Sequence, residues 1–138
     1  MKAIVSETVR VYPQFYDLDP MNVVWHGNYP RLFELARNAL LERIDYSYVA
    51  MAASGYMWPI IDMSIRYYRP LRLHQAVDIT AAITEWENRL KIDFLARDVE
   101  SGAKTTKGHT IQVAVDIKTE EMLWQTPPIL GEKLSTYL

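Results

Sequence analysis

The hydrophobic positions of this chain change period along its length. From Thr8 to Tyr16 the residues are rich in β-branched and aromatic types, and Val9 and Val11 alternate with Arg10 and Tyr12, which predicts a strand. Asp17, Asp19-Pro20, Asn22 and Gly27 then bring turn chemistry. From Tyr29 the period is helical. Tyr29, Leu32, Phe33, Ala36, Leu40 and Ile44 form one stripe, while Arg31, Glu34, Arg37, Asn38 and Glu42 lie largely elsewhere on the wheel. A helix of ~15 residues, ~22 Å long, is predicted, with Asn28 as its cap and Pro30 in its first turn. A short helix from Tyr46 to Ser54, ended by Gly55, follows.

After Gly55 the period is two. Ile61, Met63, Ile65 and Tyr67 alternate with Asp62, Ser64, Arg66 and Tyr68, and Pro70 closes the run. The same alternation carries Val77, Ile79, Ala81 and Ile83, then Leu90, Ile92, Phe94 and Ala96, then Ile111, Val113 and Val115. The breaks at Glu87-Asn88 and Ser101-Gly102 are short, which favours antiparallel neighbours. A last short helix is predicted from about Leu130, after Pro127-Pro128. One amphipathic helix and one sheet with an apolar face bury each other, so the class is α+β.

Composition narrows the picture. A chain of 138 residues, 49% apolar, suits one packed domain spanning residues 1–138. The net charge of −2 and the mixing of signs leave no basic footprint for a nucleic acid. Without cysteine there is no disulfide, no thiol nucleophile and no thiolate metal site, which fits the cytoplasm. No signal peptide is visible, and Val49 to Ile61 is too short and too broken to span a bilayer. His26, His74 and His109 lack metal-ligand spacing, so no metal is expected.

The chemistry concentrates between Phe15 and Arg37, in the segment FYDLDPMNVVWHGNYPRLFELAR. Two carboxylates, Asp17 and Asp19, follow the first strand, and Trp25-His26-Gly27 leads into the helix start. A helix start offers unpaired N–H groups and a positive dipole. A carboxylate facing such a site suits acyl transfer, although Asp in a turn before a helix is also common as a purely structural residue.

These residues resemble the 4-hydroxybenzoyl-CoA thioesterase family of the hotdog superfamily. The resemblance is carried by Tyr16, Asp17, Asp19, Pro20, Val24, Trp25, His26, Asn28, Tyr29, Glu34 and Arg37 in the family's spacing. It continues in Tyr67-Tyr68-Arg69-Pro70, Glu85-Trp86, Gly108-His109-Thr110 and Pro127-Pro128, over nearly the whole chain. It implies a hotdog fold, a long central helix wrapped by a curved antiparallel β-sheet, assembled as a homodimer or homotetramer. It implies Asp19 as nucleophile or general base, and backbone N–H groups of His26 and Gly27 that polarise the thioester carbonyl, with His26 assisting. Trp25, Asn28 and Tyr29 are then substrate-side residues, and Arg89 is the first candidate for the CoA phosphates. Two features depart from the family pattern. The run Glu87-Asn88-Arg89-Leu90-Lys91 is thinner in cations, and His74-Gln75 stands where many members place an acid.

Bland roles are expected beside these. Asp17 suits a turn cap, Glu34 and Arg37 suit an i,i+3 surface pair, and Trp25, Trp58 and Trp86 divide between an acyl pocket and core packing. Three functions stand on this reading. The first is hydrolysis of an acyl-CoA or acyl-carrier-protein thioester. The second is a hotdog dehydratase or hydratase using His26 and Glu34, which the Asp-x-Asp-Pro loop disfavours. The third is a non-catalytic acyl-thioester binding subunit, which an intact Asp19 disfavours.

Overall fold

The structure, a computed structural model, describes residues 2–138. Strand β1 (Val5–Val11) passes through a 3-10 turn at Phe15–Asp17 to a second 3-10 turn at His26–Asn28, which runs straight into helix α1 (Tyr29–Arg43). Helix α2 (Tyr48–Ala53) and the short strand β2 (Tyr56–Met57) follow. Strands β3 (Ile60–Tyr67), β4 (Val77–Glu85), β5 (Leu90–Asp98), β6 (Lys104–Gln112) and β7 (Val115–Asp116) precede helix α3 (Pro128–Leu134). Five strands form one antiparallel sheet in the order β1-β4-β5-β6-β3, and β2 pairs with β7. A long helix held against this sheet is the α+β hotdog arrangement.

The alternation read from the sequence places Val77, Ile79, Ala81 and Ile83 of β4 and Leu90, Ile92, Phe94 and Ala96 of β5 in the core. Leu32, Phe33, Ala36, Leu40 and Leu41 of α1 meet them there. Phe33 stacks on Phe94 with ring centroids 4.6 Å apart. Opposite Phe94 in the ladder lies Gly108. A Cβ there would stand 2.7 Å from the Ser64 carbonyl oxygen and 2.9 Å from the Phe33 ring, so β6 needs glycine at the point where the helix rests on it.

Arg37 is buried, not on the surface as the i,i+3 spacing suggested: it is 1% exposed. Its Nη1 donates to Gln112 Oε1 (2.5 Å), its Nη2 to Thr110 Oγ1 (2.8 Å) and its Nε to Glu34 Oε1 (2.9 Å). The guanidinium also lies over the Phe94 ring, 5.3 Å from its centroid. A charge is tolerable in this core because three partners and an aromatic face replace its water.

Three expectations shift. The first strand is Val5–Val11 rather than Thr8–Tyr16, because its register follows Ile83 to Val77 of β4 and the aromatics Phe15 and Tyr16 turn out to solvent. Strand β6 begins at Lys104, well before the apolar alternation. Its inner face carries Thr106, Gly108, Thr110 and Gln112, which read as polar. The apolar face of β3 is largely uncovered, although Ile65 packs against the core and Tyr67 meets Tyr29. Ile60, Ile61, Met63 and Tyr67 are all exposed, and Ile65 alone in that strand is half-buried.

Gly108→Ala should lower unfolding stability by about 1–3 kcal/mol, the range for overpacking a filled core, despite alanine's better fit to a strand. Urea unfolding measures it; a stability equal to or above wild type contradicts the close seating of α1 on β6.

Candidate active site

Turn geometry builds the loop before α1. Asp19 N donates to the Val23 carbonyl (2.9 Å), Asn22 N to the Asp19 carbonyl (2.9 Å), and Met21 N to Asp19 Oδ1 (2.8 Å). Asn22 takes a positive φ of 61°, a conformation asparagine tolerates well. The loop folds back so that Leu18 bridges Val24, and Val24 N donates to the Leu71 carbonyl (2.8 Å). One Asp19 oxygen is thus held by the loop, and the carboxylate is half-buried.

Asp17 does different work. It is 1% exposed, accepts from Gln14 N (2.8 Å) and pairs with Arg31 of α1. Its backbone carbonyl accepts from Trp25 N and from Asn28 Nδ2, both at 2.9 Å. Asn28 therefore does not cap α1 with its side chain; the side chain clasps the loop instead.

His26 and Gly27 occupy the leading turn of the helix, where N–H groups lack intrahelical partners. Trp25 folds back over Gly27, and a Cβ at position 27 would lie 2.4 Å from the indole, so any larger residue there displaces the exposed Trp25 ring. The Trp25 and His26 rings stand 5.2 Å apart.

Asp19, His26 and Tyr29 line one surface depression of about 280 Å³, together with Val23, Tyr67, Tyr68 and Arg69. Tyr29 is buried, and its ring meets Tyr67 edge-on at 4.7 Å. Burial pushes both phenols above their usual range, so they stay protonated at neutral pH. The Tyr67 hydroxyl donates to the His26 carbonyl (2.8 Å). The arrangement sets a carboxylate beside the free N–H end of a helix in a cleft walled by tyrosines. Such a cleft can polarise a carbonyl and deliver an oxygen nucleophile to it.

The expected residues therefore divide. Asp19, His26 and Tyr29 come together; Gly27 follows His26 in the leading turn but does not itself line the depression. Trp25 and Asn28 are not among the residues lining the depression; one covers Gly27 and the other ties down Asp17. Arg89 lies at the β4–β5 turn and makes a two-point pair with Glu85 (2.7 and 3.4 Å). It borders a separate hollow with Trp86, at the end of the sheet where Leu90 pairs with Gln112 and Gln112 with Ile60, away from Tyr67. Trp58 is a core residue whose indole N–H donates to Tyr46 (3.2 Å), and Trp86 packs over Gly131. Glu34 is bound to Arg37 and accepts from Tyr48 (3.2 Å), whose phenol burial pushes up to about 12. It does not share the depression with His26. In the sequence Tyr67 belongs only to a strand end, whereas Arg69, with Arg66 and Arg72, is also a candidate for the CoA phosphates beside its plain role as a charged strand edge. Among the described residues no cluster of His, Asp and Glu is arranged to hold a metal ion, and no helix is long and apolar enough to cross a membrane.

Residues 13–134 match the family model described as the thioesterase-like superfamily. The chain is 29% identical over 133 residues to a provisionally named esterase of Synechocystis, covering 91% of this chain and 75% of that one. It is 34% identical over 76 residues to the acyl-CoA thioester hydrolase YbgC of Escherichia coli, covering 55% of each chain. Among solved structures it resembles the DHNA-CoA thioesterase of Staphylococcus aureus, with a TM-score of 0.84, 21% identity and coverage of 95% of this chain and 89% of that one. A hypothetical protein of Thermus thermophilus superposes equally well, with a TM-score of 0.84, 23% identity and coverage of 95% and 98%. At these identities the structural likeness speaks for the fold.

Arg31→Ala should destabilise the protein by about 1–3 kcal/mol, because the buried Asp17 carboxylate loses its charged partner. Asp17→Asn should cost less, because the amide oxygen still accepts from Gln14 N and no buried charge is left unpaired. Urea unfolding of both variants checks the order; equal and negligible effects would remove Asp17 from its role as the loop's anchor.

Proposed function

As a member of the thioesterase-like superfamily the chain is a thioester hydrolase, and we propose that it cleaves acyl-CoA, with Asp19 as the nucleophile or as the base that activates water. The observation that carries this reading is the shared depression of Asp19 and the N–H end of α1. A thioester placed there sets its carbonyl oxygen toward the His26 and Gly27 N–H groups and its carbon toward the carboxylate. Charge then develops on the oxygen next to backbone donors, which lowers the barrier without reorganising solvent. Attack by Asp19 forms a C–O bond, expels the CoA thiolate and leaves an anhydride for water to open. Acting as a base, Asp19 takes the proton of the attacking water and the thiolate leaves in the same sense. Both routes yield the free acid and CoA. The His26 imidazole is exposed at the rim and assists rather than carries the step. No step requires a cofactor, because the thioester is already activated. A cysteine-free chain needs no oxidising compartment, and we assign the reaction to the cytoplasm.

We further propose that the working form is a homo-oligomer built on β3. That strand is a sheet edge with unpaired backbone groups and a largely uncovered apolar face, a combination that favours a second copy. A two-fold axis through the middle of β3 would run it antiparallel to itself. Strand β3 is roughly 23 Å long, with the Asp19 depression near Tyr67 and the β4–β5 turn near Ile60. Pairing of this kind carries the second copy's Ile60 end, and with it Arg89, toward the first copy's depression. Arg89 then reaches the CoA phosphates across the interface, which explains why one chain alone keeps it apart from Asp19.

A panel of short, long and aromatic acyl-CoAs, followed with a free-thiol reagent, tests the activity. Release of thiol well above the uncatalysed rate for at least one member is expected, and no release from any member overturns the reading. For the assembly, sedimentation at micromolar concentration should give a mass of at least two chains. Met63→Lys, which puts a charge on the uncovered face of β3, should shift it toward one. A wild-type mass of one chain would refute the β3 interface.

A further inference from the structure

The peptide between His26 and Gly27 is held from two sides. Its carbonyl accepts the Tyr67 hydroxyl at 2.8 Å. Its glycine end lies under the Trp25 ring, so closely that a Cβ would push the ring aside. A trans peptide is planar, and its C=O and N–H point in opposite directions. Whatever fixes the His26 carbonyl therefore fixes the Gly27 N–H. Tyr67 is itself fixed, because its ring stands edge-on to the buried Tyr29 of the helix's first full turn.

We infer that Tyr67 is a positioning residue, whose hydroxyl sets the plane of the His26–Gly27 peptide and so the aim of the Gly27 N–H. The inference rests on the proposal above that this N–H belongs to the polarising end of α1. It also gives the edge strand a part in the chemistry. Tyr67 is the last residue of β3, so a shift of that strand is transmitted through one hydrogen bond to the peptide. Its neighbour Tyr68 lines the same depression without that bond in the structure. Position in the cleft and grip on the peptide are thus separable roles. The grip acts on a backbone atom, so it does not depend on the His26 imidazole or on which acyl group is bound.

Tyr67→Phe tests this while keeping the ring on Tyr29. Losing one neutral hydrogen bond that aims a donor should lower kcat by about five- to tenfold. KM should stay within about twofold, the pattern of an interaction used in the transition state rather than in binding. The factor should be the same for a short and an aromatic acyl-CoA, and the same in a His26→Ala background. An amide NMR spectrum supplies a readout independent of turnover. Among residues distant in sequence from position 67, Gly27 should show the largest shift perturbation. A kcat within about twofold of wild type overturns the inference, as does a loss that appears in KM and varies with the acyl group. An unmoved Gly27 resonance overturns it as well. If the wild-type protein cleaves no thioester, the functional reading fails, and the Gly27 resonance still decides whether Tyr67 sets the peptide.

Discussion

The close approach of helix α1 to strand β6 is the constraint on which the rest depends. Gly108 lets Phe33 settle against the sheet and stack on Phe94. One turn further along, Arg37 threads into the core and ties Thr110 and Gln112 to the helix. Gln112 Nε2 donates onward to the Trp58 carbonyl (2.7 Å), which links the same network to the segment entering β3. At the other end of the contact, Tyr29 is buried beside Tyr67. The helix start is therefore placed by packing made along the helix, and the Asp19 loop is in turn held to that start by Asp17, through Arg31, Asn28 and Trp25.

This chain of support separates two carboxylates that are two residues apart. Asp17 gives up solvent and both oxygens to hold the loop, whereas Asp19 keeps one oxygen on Met21 N and opens into the depression. Burial divides the roles. A carboxylate consumed by an ion pair and a backbone donor stabilises; one that is half-exposed beside unpaired N–H groups is available for chemistry.

Much of this was legible in the sequence, for reasons that differ by element. The α1 stripe and the alternation of β4 and β5 follow directly from burial on one face. The Asp-x-Asp loop and the glycine before the helix were visible as turn chemistry. Arg37 was not, because a charged residue on a helix reads as solvated unless its partners, 73 and 75 residues away, are known. The inner face of β6 was hidden for the same reason, since Thr106, Thr110 and Gln112 are polar yet buried. Strand β3 shows the converse. Its alternation is plain, yet Ile61, Met63 and Tyr67 stay exposed and only Ile65 packs against the core. Trp25 and Asn28 illustrate a third limit: proximity in sequence to a site does not reveal whether a side chain faces the cleft or braces the backbone behind it.

The central claim is that the Asp19 carboxylate, set against the N–H end of α1, carries the reaction. Comparing kcat of Asp19→Asn with wild type on the best acyl-CoA is the most direct measurement. The amide keeps the side chain's shape and can still accept from Met21 N, but it can neither attack a thioester nor take a proton from water. The account predicts a fall of about 10²–10⁴ in kcat, with the melting temperature and the sedimentation mass held. Retention of more than about a tenth of wild-type kcat, far above what loss of a general base allows, would contradict it and place the chemistry elsewhere in the cleft.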